Sequence, residues 1–410
     1  MKPAPRRILL ADADAFYVAV ARMIDPEGAG KEPLLIVGGS RESRGVVCSA
    51  SWETRSYGVR SAMPISRALR LCPDAMCVPV PRKACSTKSH EIREVLERFS
   101  PMVEGASIDE WYLDLGGTEG VYHNEHLAVT AHRMRDAVRN EAGLSISIGG
   151  GTNKLVAKLA VERAKPKPGT GANGVHMVEP GAEGEFLQTF TLAEIPLVGP
   201  KFQERLAKLG MTTVPDVLQH NLPTLRTWLG EREGEWLWDR VHGVSDSEVE
   251  THGEAKSMSR DETFAVDLKE DKDIERELLA LVTRVAFDLR RDGLAARTVT
   301  VRIRDMDFRT RSARKTLIEP VVSDRVLLKV ARELLAKLRK ARRVPARLVG
   351  VALSSLAQDP MADQIVLFAA KASASDETDR DRVLSRAVDK VREKFGAKGI
   401  LPAALTRDTD

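Results

Sequence analysis

Cysteine is scarce in this chain of 410 residues: four thiols, at 48, 72, 77 and 85, with no C-x-x-C pair among them. That argues against a disulfide framework and against a zinc site, and reduced thiols in a cytoplasmic protein are expected. Long apolar runs are missing too. Ile8-Leu9-Leu10 is apolar, but Asp12 and Asp14 interrupt it, so it is neither a signal-peptide core nor a membrane span. No repeat period stands out, which removes solenoids. Charge of one sign is not in excess: 63 Lys and Arg face 59 Asp and Glu, a net charge of +4, so a polyanion partner cannot be argued from the total.

What is present is ordinary for a soluble protein, 43% hydrophobic and 30% charged, with length enough for two to four domains. The distribution of charge says more than its sum. Between Arg284 and Arg347 there are 19 Lys and Arg against 7 Asp and Glu, a local basic domain.

The acidic residues that invite chemistry lie in the first third. Ser107-Ile108-Asp109-Glu110 sits between two short strand patterns, 102–106 and 111–115. Two carboxylates held at one turn repel unless a cation or proton lies between them, and a hard divalent ion suits oxygen ligands. A solvated surface turn is the plain alternative. Upstream, Ile8 to Ala11 reads as a buried strand ending in Asp12-Ala13-Asp14, and Phe16 onward reads as a helix. Asp12 and Asp14 share a strand face, and a carboxylate ending a buried strand is costly without a partner. Asp14 could equally cap the helix.

Strand patterns at 34–39 and 45–51, the latter rich in small side chains, lead to Trp52-Glu53-Thr54-Arg55 and a short helix near 63–73. Helices at 83–99 and 125–142 flank the Asp-Glu turn. The strand 144–148 then runs into Gly149-Gly150-Gly151, read as a tight turn or as an anion-binding entry to the helix carrying Lys154 and Lys158. It is not a Walker A loop, because the G-K-[ST] ending is absent. This order predicts a ferredoxin-like split β-α-β sheet with an insertion between residues 16 and 80.

Lys165-Pro166-Lys167-Pro168-Gly169 reads as a linker. Around Gly199 and Lys201, short helices about a Gly turn suggest a helix-hairpin-helix that holds a DNA phosphate on backbone N–H groups, or an ordinary connector. Trp228, Trp236 and Trp238 are expected in a core. Residues 242–256 read as a polar tether. A second α+β domain follows, with Arg302, Arg304, Arg314 and Lys315 crowding its middle strands, as a phosphate-binding face or a solvated one. Residues 372–380 read as disordered and 381–396 as an amphipathic helix. Gln364 to Phe368 is an apolar docking peptide or an edge strand.

Together these motifs resemble the Y-family translesion DNA polymerases, over roughly residues 8–400. Asp12-Ala13-Asp14-Ala15-Phe16-Tyr17 and Ser107-Ile108-Asp109-Glu110 look like the family's two metal motifs, and Trp52 to Pro64 like its finger motif. Asn153 to Lys158 looks like its lysine helix. The resemblance implies an α+β right-hand polymerase: a ferredoxin-like palm (1–15 and 81–162), small fingers (16–80) and a helix-hairpin-helix thumb (163–240). A linker (241–255), an α+β little finger (256–357) and a tail (358–410) would follow. It implies that Asp12, Asp109, Glu110 and the Ala13 carbonyl hold two Mg²⁺, and that Ser49, Trp52, Arg55 and Lys154 meet the triphosphate of a dNTP. Trp52 stands where the family usually has Tyr. Tyr17 would be the steric gate against ribose, and the small residues 48–51 would leave a roomy base-pair pocket.

Gly199, Lys201, Arg302, Arg304, Arg314 and Lys315 would contact primer-template DNA. Gln364, Leu367 and Phe368 would bind a bacterial sliding clamp, and the protein would act as a monomer. No further acidic motif suggests a proofreading nuclease. Nucleotide cyclases share such a palm but lack the later DNA-binding elements. A catalytically silent, DNA-binding relative is the main alternative reading.

Overall fold

The computed structural model describes residues 5–40, 44–167, 169–251, 253–359, 377–396 and 398–406. Gln364, Leu367 and Phe368 lie outside the described residues. The chain divides into two compact units, Met1–Gly253 and Glu254–Asp410. Among the described residues, no helix is long and apolar enough to cross a membrane.

The first unit begins with β1 (Ile8–Ala13), α1 (Phe16–Ile24), β2 (Leu35–Gly38), β3 (Val47–Ala50), α2 (Trp52–Ser56), α3 (Ile65–Leu71) and β4 (Met76–Pro79). Next come α4 (Arg82–Glu97), β5 (Met102–Gly105), β6 (Glu110–Asp114), α5 (Leu127–Ala142), β7 (Ile146–Gly151), α6 (Lys154–Ala164) and β8 (Val175–Met177). Five helices close the unit: α7 (Glu183–Leu187), α8 (Pro200–Ala207), α9 (Val214–Leu218), α10 (Leu222–Leu229) and α11 (Glu231–Val241).

The main sheet runs β5-β6-β1-β7-β8, and its first four strands have the order of a ferredoxin-like sheet. All six residues of β1 are buried, as a central strand covered on both faces requires. Leu9 and Ala11 pack with Ile92, Leu96, Met134 and Val138 of α4 and α5. Ile8 and Leu10 face the other way, onto Ala157 and Val161 of α6. The period of two therefore puts Asp12 on the α6 face.

The glycine run is strand, not turn: Leu10 pairs with Gly149, Leu9 with Gly150 and Ile8 with Gly151. The reason is close approach. A Cβ on Gly149 would lie 2.1 Å from the Val161 nitrogen and 2.5 Å from the Ala157 oxygen, both α6 backbone. The missing side chain lets α6 lie directly on β7.

The insertion forms its own three-stranded sheet, β3-β2-β4, with Ile36, Val47, Val59 and Ile65 at its core. In the helical part, Trp236 and Trp238 pack against the core as expected, but Trp228 is 42% exposed, with His220 at its edge. Residues 191–198 are turns, so the Gly199 turn has a regular helix only on its far side, in α8. Nor is 242–251 a free tether. Val249 is buried against Ile8, Leu10 and Val161, and the Glu250 N–H donates to Glu104 at 2.7 Å.

The second unit contains β9 (Ser257–Leu268), α12 (Asp271–Arg291), β10 (Leu294–Asp305), β11 (Thr310–Val321), α13 (Asp324–Ala341), β12 (Ala346–Gln358) and α14 (Asp379–Phe395). The antiparallel sheet order is β11-β10-β12-β9, with α12 and α13 packed on one face through Val299, Val301, Ile303, Val349 and Val351. Within the expected disordered stretch, 372–376 lie outside the described residues. Glu377 is buried, and it accepts from the Val322 and Ser323 N–H groups. Arg382 holds Glu377 and Asp359 together, and Arg290 pairs with Asp389, so α14 is fastened to this unit by buried ion pairs.

Gly149→Ala should cost roughly 3 kcal/mol, since backbone rather than a side-chain tip must give way. The midpoint of chemical denaturation followed on the full chain measures this, and an unchanged midpoint would show that α6 does not need the glycine.

Candidate active site

The site grows from one register pair. On the antiparallel strands β1 and β6, Asp12 stands directly opposite Glu110. Like charges so placed are destabilising unless a cation lies near. Asp109 closes the turn between β5 and β6 beside them, and its carbonyl accepts the Ala13 N–H at 2.9 Å, which ties the turn to the end of β1. The chain then leaves the sheet through Ala15, a non-glycine residue in the left-handed region (φ 46°), and enters α1 with no side-chain cap. Such a conformation costs about 1 kcal/mol and recurs at functional sites. Asp14 is no cap: it accepts from Ser145 at 2.8 Å and Ser147 at 2.7 Å.

These residues open on a cavity of about 190 Å³. Asp12, Ala13, Asp14, Tyr17, Asp109 and Glu110 line it together with Cys48, Ser49, Trp52 and Arg55. The Arg55 guanidinium lies 4.5 Å from the Trp52 ring centroid and donates to the Ala50 carbonyl at 2.9 Å. Ser51 accepts from the Thr54 N–H and so fixes the start of α2, which carries both Trp52 and Arg55. Of the small residues 48–51, only Cys48 and Ser49 reach the cavity; Ala50 and Ser51 are buried behind it. Tyr17 sits edge-on to Phe16. Burial, with Cys48 and Asp109 nearby, raises its phenol above the usual value.

The cations come from α6. Lys154 pairs with Glu104 on β5, Lys158 with Glu110 on β6, and Lys165, at the helix C-cap, with Asp12 on β1 at 2.9 Å. Burial pushes the Asp12 carboxyl up to about 7; Lys165 works against the rise, and Glu110 adds to it. Burial alone would lower the Lys165 ammonium, but Asp12 and Glu162 outweigh it and raise it.

Lys154, expected at the triphosphate, is not at the cavity. It bonds Glu104 and lies 5.0 Å from the Tyr112 ring centroid. The lysine that lines the cavity is Lys165, which its Lys-Pro-Lys-Pro neighbourhood disguised as linker. Its signal was helical spacing: it lies seven residues, two turns, beyond Lys158, and so on the same face.

Among the described residues, no group of three His, Cys, Asp or Glu side chains is already drawn together as a metal cage. Even so, the donor set suits a hard divalent cation. It consists of carboxylate and carbonyl oxygens, with one carboxylate buried against another and neutralised by a lysine.

The other expected contacts are scattered. Gly199 is the N-cap of α8, with open space where a Cβ would stand, and Lys201 is exposed in its first turn. In the second unit, Arg302 stands opposite Ser312 on β11, and Arg304 opposite Thr310. Both lie on the sheet face away from the helices, and Arg314, opposite Thr300, shares it. Lys315 does not: one residue on, it points to the helix side and pairs with Glu333 of α13 at 2.8 Å.

Comparison with known proteins gives a consistent answer. The impB/mucB/samB family matches residues 11–162, and the C-terminal domain of that family matches 255–367. A DNA polymerase IV of Dehalococcoides mccartyi (strain CBDB1) is 33% identical over 395 residues, 96% of each chain. One of Desulfatibacillum aliphaticivorans is 34% identical over 402 residues, 98% of this chain and 97% of its own. Among solved structures, a Y-family DNA polymerase chimera superposes with a TM-score of 0.76 at 26% identity, covering 85% of this chain and 98% of its own. An insertion ternary complex of Dbh DNA polymerase gives 0.59 at 25% identity, with the same coverage. With its matched domains, its near full-length relatives and its shared fold, this chain belongs to the DNA polymerase IV family of Y-family polymerases.

Proposed function

We propose that this chain extends a DNA primer from dNTPs under the direction of a template, as a translesion polymerase that tolerates imperfect template bases. The observation that carries the reading is the register pair Asp12 and Glu110, with Asp109 on the adjoining turn, at one end of a cavity. Family members use divalent metal ions. Here two Mg²⁺ would be held by Asp12, Asp109, Glu110 and the Ala13 carbonyl; when bound they supply a more acidic primer 3′-hydroxyl and charge neutralisation at the leaving pyrophosphate.

The rest of the chemistry belongs to the chain itself. Arg55 and Lys165, which both line the cavity, are the cations poised for the triphosphate. The Lys165 ammonium exchanges Asp12 for a phosphate oxygen as substrate enters. Trp52 holds the Arg55 guanidinium by its face rather than reaching a phosphate itself. The Tyr17 ring lies at the cavity wall, where a 2′-hydroxyl would collide. Cys48 and Ser49 present little bulk, so base-pair geometry is weakly checked. Primer-template DNA is the polymeric partner, held by the Gly199 turn with Lys201 and by Arg302, Arg304 and Arg314. The motif at Gln364, Leu367 and Phe368 supports docking on a sliding clamp, and the protein acts as a monomer.

Asp109→Ala tests the central claim. It should abolish primer extension in Mg²⁺ while primer-template affinity, measured by anisotropy, stays near that of the parent; persistent extension would remove Asp109 from the metal site. Lys165→Ala should raise KM for dNTP roughly tenfold or more, the scale of one charge-assisted hydrogen bond, whereas Lys154→Ala should leave it nearly unchanged. Single-nucleotide kinetics decide between them, and the reverse pattern would restore Lys154 to the triphosphate. Tyr17→Ala should raise ribonucleotide incorporation relative to deoxynucleotide by roughly ten- to a hundredfold. Unaltered sugar discrimination would place the gate elsewhere.

A further inference from the structure

The outward face of the second unit's sheet carries an acid at an unexpected place. Reading across the strands at one level, Ser312 of β11, Arg302 of β10, Gly350 of β12 and Asp261 of β9 stand in a row. The Asp261 carboxylate reaches across β12 and accepts from Arg302 at 3.4 Å. It passes over Gly350 to do so: a Cβ on Gly350 would lie 1.6 Å from the Asp261 Oδ1. Gly350 has an ordinary backbone conformation, so no turn explains it. What the glycine provides is the gap through which the carboxylate lies.

In the register rows between Ser354 and Leu348 of β12, Asp261 is the only acidic residue on this face among the described residues. The other side chains there are mainly Ser, Thr and Arg. Arg304 donates to Thr310, a neutral partner, and Arg314 has no side-chain partner among the described residues. Arg302 alone of the three is tied to a carboxylate. Both members of that pair are partly exposed, 43% for Arg302 and 35% for Asp261, so the pair is open to solvent and to exchange.

We propose that Asp261 is an intramolecular competitor for the DNA phosphate at Arg302, and that Gly350 is what allows it to reach. The inference rests on the reading that this sheet face contacts the DNA backbone. A phosphate that claims Arg302 must displace the carboxylate and leave it close to a second anion, so the pair weakens binding without removing the arginine. Asp261 thereby keeps the grip on DNA loose, which suits an enzyme that adds few nucleotides and departs.

Two unrelated substitutions release the arginine. Asp261→Ser removes the charge and matches the serines at 257 and 259. Gly350→Ala leaves the charge but fills the gap and turns the carboxylate away. Binding of the full chain to a primer-template duplex, measured by fluorescence anisotropy over a salt series, should tighten roughly threefold to tenfold for either one. The plot of log affinity against log salt should steepen by about 0.9, the value of one added phosphate contact. Arg302→Ala should weaken binding and make both substitutions silent. Unchanged or weaker binding in Asp261→Ser, with Arg302→Ala still weakening it, overturns the competitor while leaving the DNA-facing sheet intact. An Arg302→Ala protein that binds DNA as the parent does overturns both. Thermal melting confirms that each variant is folded.

Discussion

Two carboxylates directly opposite one another on adjacent central strands make an arrangement that a folding chain must compensate. Asp12 and Glu110 form such a pair, and Asp12 is almost wholly buried. Without nearby cations the sheet would be strained at its centre, because each anion raises the cost of the other. The compensation comes from one helix. α6 lays Lys154, Lys158 and Lys165 against Glu104, Glu110 and Asp12, which belong to the consecutive strands β5, β6 and β1. The helix can do this only because Gly149 lets its backbone touch the sheet. A glycine, a helix and three lysines thus form one device, and the carboxylates on β5, β6 and β1 are tolerable because of it.

The device divides its lysines by position. Lys154, at the helix start, meets Glu104, the acid that also accepts from the Glu250 backbone and so helps fix the segment after α11. Lys165, at the helix end, lines the cavity with Asp12 as its partner. Equal charge on the same helix face does not mean an equal position: Lys165 and Asp12 both line the cavity, and Lys154 and Glu104 do not.

Much of this was legible in the sequence. The β-α-β order, the paired acids after a short strand, the aromatic residue after Asp-Ala-Asp-Ala-Phe and the basic second domain all depend on local pattern, and local pattern survives folding. What was hidden depends on the partner a residue meets. Gly149-Gly150-Gly151 has the composition of a loop and the geometry of a strand, because only the helix above explains the missing side chains. Lys165 sits among prolines that look like linker, although the helix does not end until Ala164. Arg314 and Lys315 are neighbours in sequence and opposites in space, since one step along a strand changes the face. Val249 and Glu377 fall in polar stretches, yet each is buried by a contact from a distant segment.

A common rule links the two basic sites, each within its own unit. At the cavity the lysine available to phosphate is held by Asp12, and on the second sheet the central arginine is held by Asp261. On the two proposals an anionic substrate would replace an acid of the protein instead of bulk water at each site. Such an exchange keeps a cation in position before substrate arrives, so less side-chain freedom is lost on binding. It also lowers the net gain, because the displaced acid must be accommodated. The two sites differ in what becomes of that acid. On the proposed function, Asp12 released from Lys165 would be among the residues that hold a divalent cation. On the sheet the proposed exchange would leave Asp261 beside the phosphate and so limit affinity. On these proposals one acid would prepare the chemistry, and the other would loosen the hold on the polymer that the chemistry acts on.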